Sequence, residues 1–402
     1  MKVSVGASGQ GKYVAPRRVA GCVRATSLSL VCLASAVSCA VARAPQNAQN
    51  ADVPSALATL ERKICLTIGA RTYSSADKCE PQVDRPTYVQ PLFDVYRAAP
   101  PILKAYLCSL DRIYFDYELN WNADWRVTVD QRTQGEYRTV GIRRGLLERN
   151  VGYVDWASGW AQHWWTGAAI DRPGNDPALP RVESDLRKPS DVLFQLLAHE
   201  AAHILDYDHR VVSRRQPPNK PFEPGEFGFL SWISPRYADS TGWHSAVARE
   251  AALQSVRTLD VDGNSAARLA TRTAMETQGK AWDAGIHEIA RWRPAPPEGI
   301  SEFLEQLDPS SFTTIFSTWR PEDDWTDSFA MMMLTTIATR VDIVSPDGRR
   351  IRIFQKVSDP KSAFAPKRAF IQRVIDRALT DLRARHVGAT DACFAAALDG
   401  QQ

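Results

Sequence analysis

The spacing of apolar positions changes repeatedly along the chain, and each change predicts an element. Residues 56–68 and 91–110 carry helical spacing and lie around the loop from Cys65 to Cys79. RIYFDYEL (112–119) and WRVTVDQR (125–132) alternate and are rich in β-formers, so both are read as strands. YRTVGIRRGLLE (137–148) predicts a strand running into a short helix, and the aromatic-dense stretch 152–167 predicts a helix over part of its length. A proline-rich loop, 172–189, leads into a further helix with Ser190 as N-cap and Asp191 at its positive end. Phe194, Leu197, Ala201 and Ile204 or Leu205 form its buried stripe.

Five prolines mark 213–245 as loop, and helical patterns dominate from about 245 to 292. PEDDWTDSFAMMMLTTIATRV (321–341) predicts a helix with Pro321 at the favoured first position. VDIVSPDGRRIRIF (341–354) reads as a hairpin around Pro346-Asp347-Gly348. A last amphipathic helix, 367–385, turns Phe370, Val374, Ala378 and Leu382 inward. The sum is an α+β fold with helices in the majority.

Composition adds limits. With 402 residues, 44% hydrophobic and 24% charged, the chain is globular and long enough for one large domain or two. A net charge of +3 gives no argument for nucleic acid or an anionic membrane surface. The first 44 residues read as an export signal: Lys2, Lys12, Arg17, Arg18 and Arg24 precede an apolar run, 27–42, that is short for a membrane span. Within it AVSC (36–39) resembles a lipoprotein box with Ala36 in the leucine position, which would lipidate Cys39 and tether the protein to a membrane. Cleavage after Ala40 by an ordinary signal peptidase fits as well. Either way the expectation is the bacterial periplasm or cell envelope, or secretion. A polar linker, 45–57, an N-terminal helical segment, 58–110, and a main domain, 111–402, complete the expected organisation. Seven cysteines are present, of which Cys22, Cys32 and Cys39 fall in the signal. Four remain, and an exported protein is expected to pair them; of three pairings, Cys65–Cys79 and Cys108–Cys393 are favoured.

The candidate chemistry lies in LLAHEAAHILDYDH (196–209). Residues four apart share a helix face, so His199 and His203 can grip one metal ion. Glu200 is rotated by about 100° from His199 and can take a proton from a metal-bound water. That is the HExxH pattern of a zinc hydrolase. HEIAR (287–291) is a near miss, with Arg291 in the second histidine position, so His287 and Glu288 are read as surface residues. Asp206, three residues after His203, is expected to accept an N–H from a ligand imidazole, or else to bond water or backbone at the helix end.

A catalytic zinc needs a third protein ligand. His209 stands ten residues after His199, as in HExxHxxGxxH peptidases, but Asp206 occupies their turn glycine. The other candidate is Asp323 with Asp327, four apart on the predicted helix 321–341. HExxHxxD followed at a distance by DDWTDSFA (323–330) resembles the gluzincin-type zinc peptidases of the lethal-factor-like group. The resemblance covers two windows, about 190–210 and 312–335. It implies a zincin-like domain with a small sheet beside the HExxH helix, Zn2+ held by His199, His203 and Asp323, Asp327 supporting the site, and peptide-bond hydrolysis with Glu200 as base. Two departures stand out: aspartate replaces glutamate at both acidic positions, and Phe316 occupies the place of a tyrosine that helps stabilise the oxyanion. Tyr237 is a candidate substitute. The Trp-rich stretch 156–165 reads as core more than as substrate wall, and His163 as structural. The expected partner is a peptide or protein substrate. The competing reading is a catalytically silent zinc-binding scaffold or binding module.

Overall fold

A computed structural model describes residues 53–69, 73–81, 83–119, 122–130, 133, 135–166, 174–212, 222–223, 225–234, 237–238, 298–318, 320–386 and 392–398. The expected export signal, 1–44, with Cys39, the residues His287 and Glu288, and the side chain of Tyr237 lie outside them.

Helix α1 (Val53–Lys63) runs directly into strand β1 (Ile64–Thr67), so the helix expected over 56–68 ends early. Ile64 and Thr67 are β-branched, and all four residues of the strand are buried as they pair with β2 (Arg112–Asp116). The helix expected over 91–110 is two, α2 (Gln90–Ala98) and α3 (Pro101–Ser109). Pro100 and Pro101 cannot extend the hydrogen-bond ladder and break it there. Strands β3 (Ala123–Val129) and β4 (Glu136–Arg143) form an antiparallel hairpin, and the sheet order is β1-β2-β4-β3, with β1–β2 and β2–β4 parallel. The segment 58–110 therefore contributes β1 to the sheet, and the described residues belong to one unit. After α4 (Gly145–Glu148) comes α5 (Tyr153–Thr166).

Strand β5 (Arg181–Ser184) interrupts the expected proline-rich loop; four residues are too few to carry a periodic signal. It pairs with β8 (Val341–Val344), which pairs with β9 (Arg350–Arg352) through the expected turn, where Gly348 takes φ +87°. Between them lie α6 (Pro189–His209), the small strands β6 (Trp232–Ser234) and β7 (Tyr237–Ala238), α7 (Glu298–Leu307) and α8 (Pro321–Leu334). Helix α8 stops short of the expected end at 341; β-branched Thr335, Thr336 and Ile337 follow it. The chain continues through α9 (Ile353–Ser358), α10 (Ala365–His386) and α11 (Ala392–Leu398). The fold is α+β and helix-rich, with small sheets.

Helix α6 is central. Lys188, not Ser190, is its N-cap residue, and the Asp191 carboxylate accepts the backbone N–H groups of Arg187 and Lys188 at 2.7 and 2.8 Å. Its burial is wider than one stripe: Val192, Leu193, Ala198 and Ala202 are buried with the expected residues. Helix α8 lies against it, where fully buried Trp325 donates its indole N–H to the Ala202 carbonyl at 2.8 Å. A buried ion pair, Lys367 with Asp324 at 2.6 Å, ties α10 to the other side of α8. Disulfides Cys65–Cys79 and Cys108–Cys393 are both formed, the second joining α3 to α11. Among the described residues no helix is long and apolar enough to cross a membrane.

Candidate functional site

Packing α6 against α8 brings two i,i+4 pairs face to face: His199 and His203 from one helix, Asp323 and Asp327 from the other. One ligand atom each from His199, His203 and Asp323 lies within 4.8 Å of the others, a group able to hold a metal ion. Atoms bound to one ion at about 2.1 Å stand at most about 4.2 Å apart, so small side-chain movements close the set. His199 Nδ1 is 2.9 Å from Asp327 Oδ1 and its Nε2 is 3.2 Å from Thr326 Oγ1, while Thr314 donates its hydroxyl to the other Asp327 oxygen. Trp125, from β3, stacks on His203 with ring centroids 5.5 Å apart. Arg320 donates Nε–H to Asp323 Oδ2 at 2.9 Å.

The electrostatics point one way. Burial pushes the Glu200 carboxyl up to about 8; His199 opposes the shift, and Asp124 and Asp323 add to it. Burial also pushes Asp323 up to about 6 against the opposing Arg320 guanidinium. His199 rises to about 9: burial disfavours its cation, but the Asp327 hydrogen bond and the charges of Glu200, Asp327 and Asp323 outweigh that. All three groups thus hold a proton more tightly than they would in water.

These residues open on a cleft of about 440 Å³. Asn122, Ala123, Asp124 and Trp125 form one wall at the start of β3, the edge strand of its sheet. Trp156 and Trp160 of α5 and Phe316 line it as well, so part of the Trp-rich stretch is both core and cleft wall. Phe316 packs 5.7 Å from the His199 ring and 5.5 Å from Trp160. His163 is buried, stacks on Trp160 and is not in the metal-competent group.

The alternative ligand goes elsewhere. Helix α6 continues unbroken through His209, so no turn at Asp206 returns that histidine; its Nδ1 lies 3.7 Å from Asp381 of α10. The chain turns only at Arg210, with φ +52°, and the Asp206 carboxylate accepts the Val212 N–H at 2.6 Å. Asp206 thus has a backbone partner at the helix end. Sequence reasoning missed Trp125, Asp124 and Arg320. Trp125 and Asp124 sit in an ordinary alternating strand, and only the position of Arg320, three residues before Asp323, offered a signal.

No family model, curated protein or solved structure matches the chain.

Proposed function

We propose that the protein is an exported zinc-dependent metallopeptidase of gluzincin type, built on a zincin-like domain, with His199, His203 and Asp323 as zinc ligands and Glu200 as general base. The observation that carries this reading is the convergence of the HExxH face and Asp323, 120 residues after His203 in sequence, on one group in the cleft that Glu200 also lines. The donor set fits zinc: two imidazoles and a carboxylate leave a fourth position for water. When bound, the ion would acidify that water and polarise the scissile carbonyl. Glu200, buried and with a raised proton affinity, takes a proton from the attacking water and returns it to the departing amine. Asp327 fixes the tautomer and orientation of His199. Asp323 reaches less far than glutamate would, and the Trp325–Ala202 bond between α8 and α6 supports its place beside the two histidines. Two disulfides and the N-terminal signal support export, and a lipid on Cys39 would anchor the protein in the envelope.

Glu200→Gln tests the reading. The variant should keep its zinc and lose peptide hydrolysis by roughly 10²–10⁴-fold. Hydrolysis at the wild-type rate would sink the proposal. Phe316 supports a second reading, a silent zinc-binding module, because it offers no donor beside His199. Zinc- and Glu200-dependent turnover of any member of a broad peptide library would dispose of that alternative.

A further inference from the structure

Among the described residues lining the cleft, five are carboxylates, Asp124, Glu200, Glu322, Asp323 and Asp327, and one is a permanent cation, Arg320. Arg320 immediately precedes α8 on extended backbone, at φ −148° and ψ 157°. Its Nε–H is held by Asp323 Oδ2 at 2.9 Å, so a buried acid fixes one edge of the guanidinium while the side chain as a whole is 56% exposed. A permanent cation bonded to a residue that would hold a metal opposes metal binding by repulsion. The cost is offset if negative charge develops beside it during the reaction. Phe316, against His199, cannot donate to that charge.

We infer that Arg320 is a catalytic residue that donates to the oxyanion formed at the scissile carbonyl, an inference resting on the peptidase reading. As the water oxygen bonds to the carbonyl carbon, its proton passes to Glu200 and the C=O π pair moves onto the carbonyl oxygen. The guanidinium, a rigid fork of five N–H donors, meets that charge. Collapse restores the C=O bond, breaks the C–N bond, and sends the Glu200 proton to the amine nitrogen.

The experiment is calorimetric binding to the zinc-loaded full chain of two probes capped at both termini: a phosphinic Ala-Ala dipeptide, whose tetrahedral anion resembles the oxyanion, and the uncharged ketomethylene Ala-Ala dipeptide. Arg320→Gln should weaken the phosphinate by about tenfold to several hundredfold and the ketomethylene compound by less than about twofold, with zinc content and Tm unchanged. Arg320→Lys should recover part of the loss, and the effect should persist at high salt, where long-range attraction is screened. Equal weakening of both probes, an unchanged phosphinate, a loss confined to low salt, or zinc loss in Arg320→Gln would overturn the inference, the last by making Arg320 a positioning residue for Asp323. So would a zinc-holding wild type that binds the phosphinate no better than the ketomethylene compound. A wild type that retains no zinc would instead remove the peptidase reading itself.

Discussion

Asp327 shows how much a single oxygen atom decides. One of its oxygens faces His199 Nδ1 and the other takes the Thr314 hydroxyl, so the carboxylate is held at both ends before it orients the ring. Asp327→Asn keeps the shape but can present an amide N–H to the imidazole, and zinc affinity should fall by about 10–100-fold in competition with a chelator. An unchanged affinity would show that His199 needs no such partner. A second residue carries a pH signature away from the site. Lys356 donates to the carbonyls of Leu307 and Phe312, yet burial pushes its amine down to about 7, with Asp308 opposing and Lys367 adding. The unfolded chain holds that proton up to the ordinary lysine range near 10.4. Between about pH 7 and 10 the unfolded state therefore binds more protons, and this residue makes stability rise with pH. Measured against Lys356→Met by denaturant unfolding, the wild type should gain stability across that window. A gap between the two that does not change with pH would contradict the assignment.

At the scale of elements, the site depends on how α8 is clamped. Its inner face is fixed to α6 by the Trp325 indole on the Ala202 carbonyl. On another face Asp324 is fully buried and meets Lys367 of α10 and the Trp232 indole of β6. Removing one partner leaves a buried charge without its counter-ion, a change worth about 3–5 kcal/mol. Lys367→Met should therefore lower the denaturant midpoint by a corresponding amount, whereas the double change Lys367→Met with Asp324→Leu should recover much of it. Helix α8 was legible as a helix because Pro321 and the acids of its first turn mark a start. The small strands β1 and β5 were not, since four buried residues carry too little periodicity to be told from helix or loop.

At the scale of the whole molecule, Cys108 and Cys393, 285 residues apart, join α3 to α11. Replacing both by serine should cost about 2–5 kcal/mol, read as a lower Tm that reducing agent no longer shifts further through this bridge. A Tm unaffected by the substitution would show that packing alone seats α11. The sequence by itself determined that His199 and His203 share one face, because i,i+4 spacing does so on any helix, and it determined Glu200 as their neighbour. It also supplied the favoured cysteine pairing and the hairpin at Gly348, both found in the structure. Which of His209 and Asp323 lies beside that pair was a different matter. Local pattern allowed either, and only the uninterrupted run of α6 past Asp206 and the docking of α8 on Ala202 separated them. The same holds for Trp125 and Arg320, whose neighbours are set by sheet and helix packing between residues far apart in the chain, a relation that no spacing along the sequence encodes.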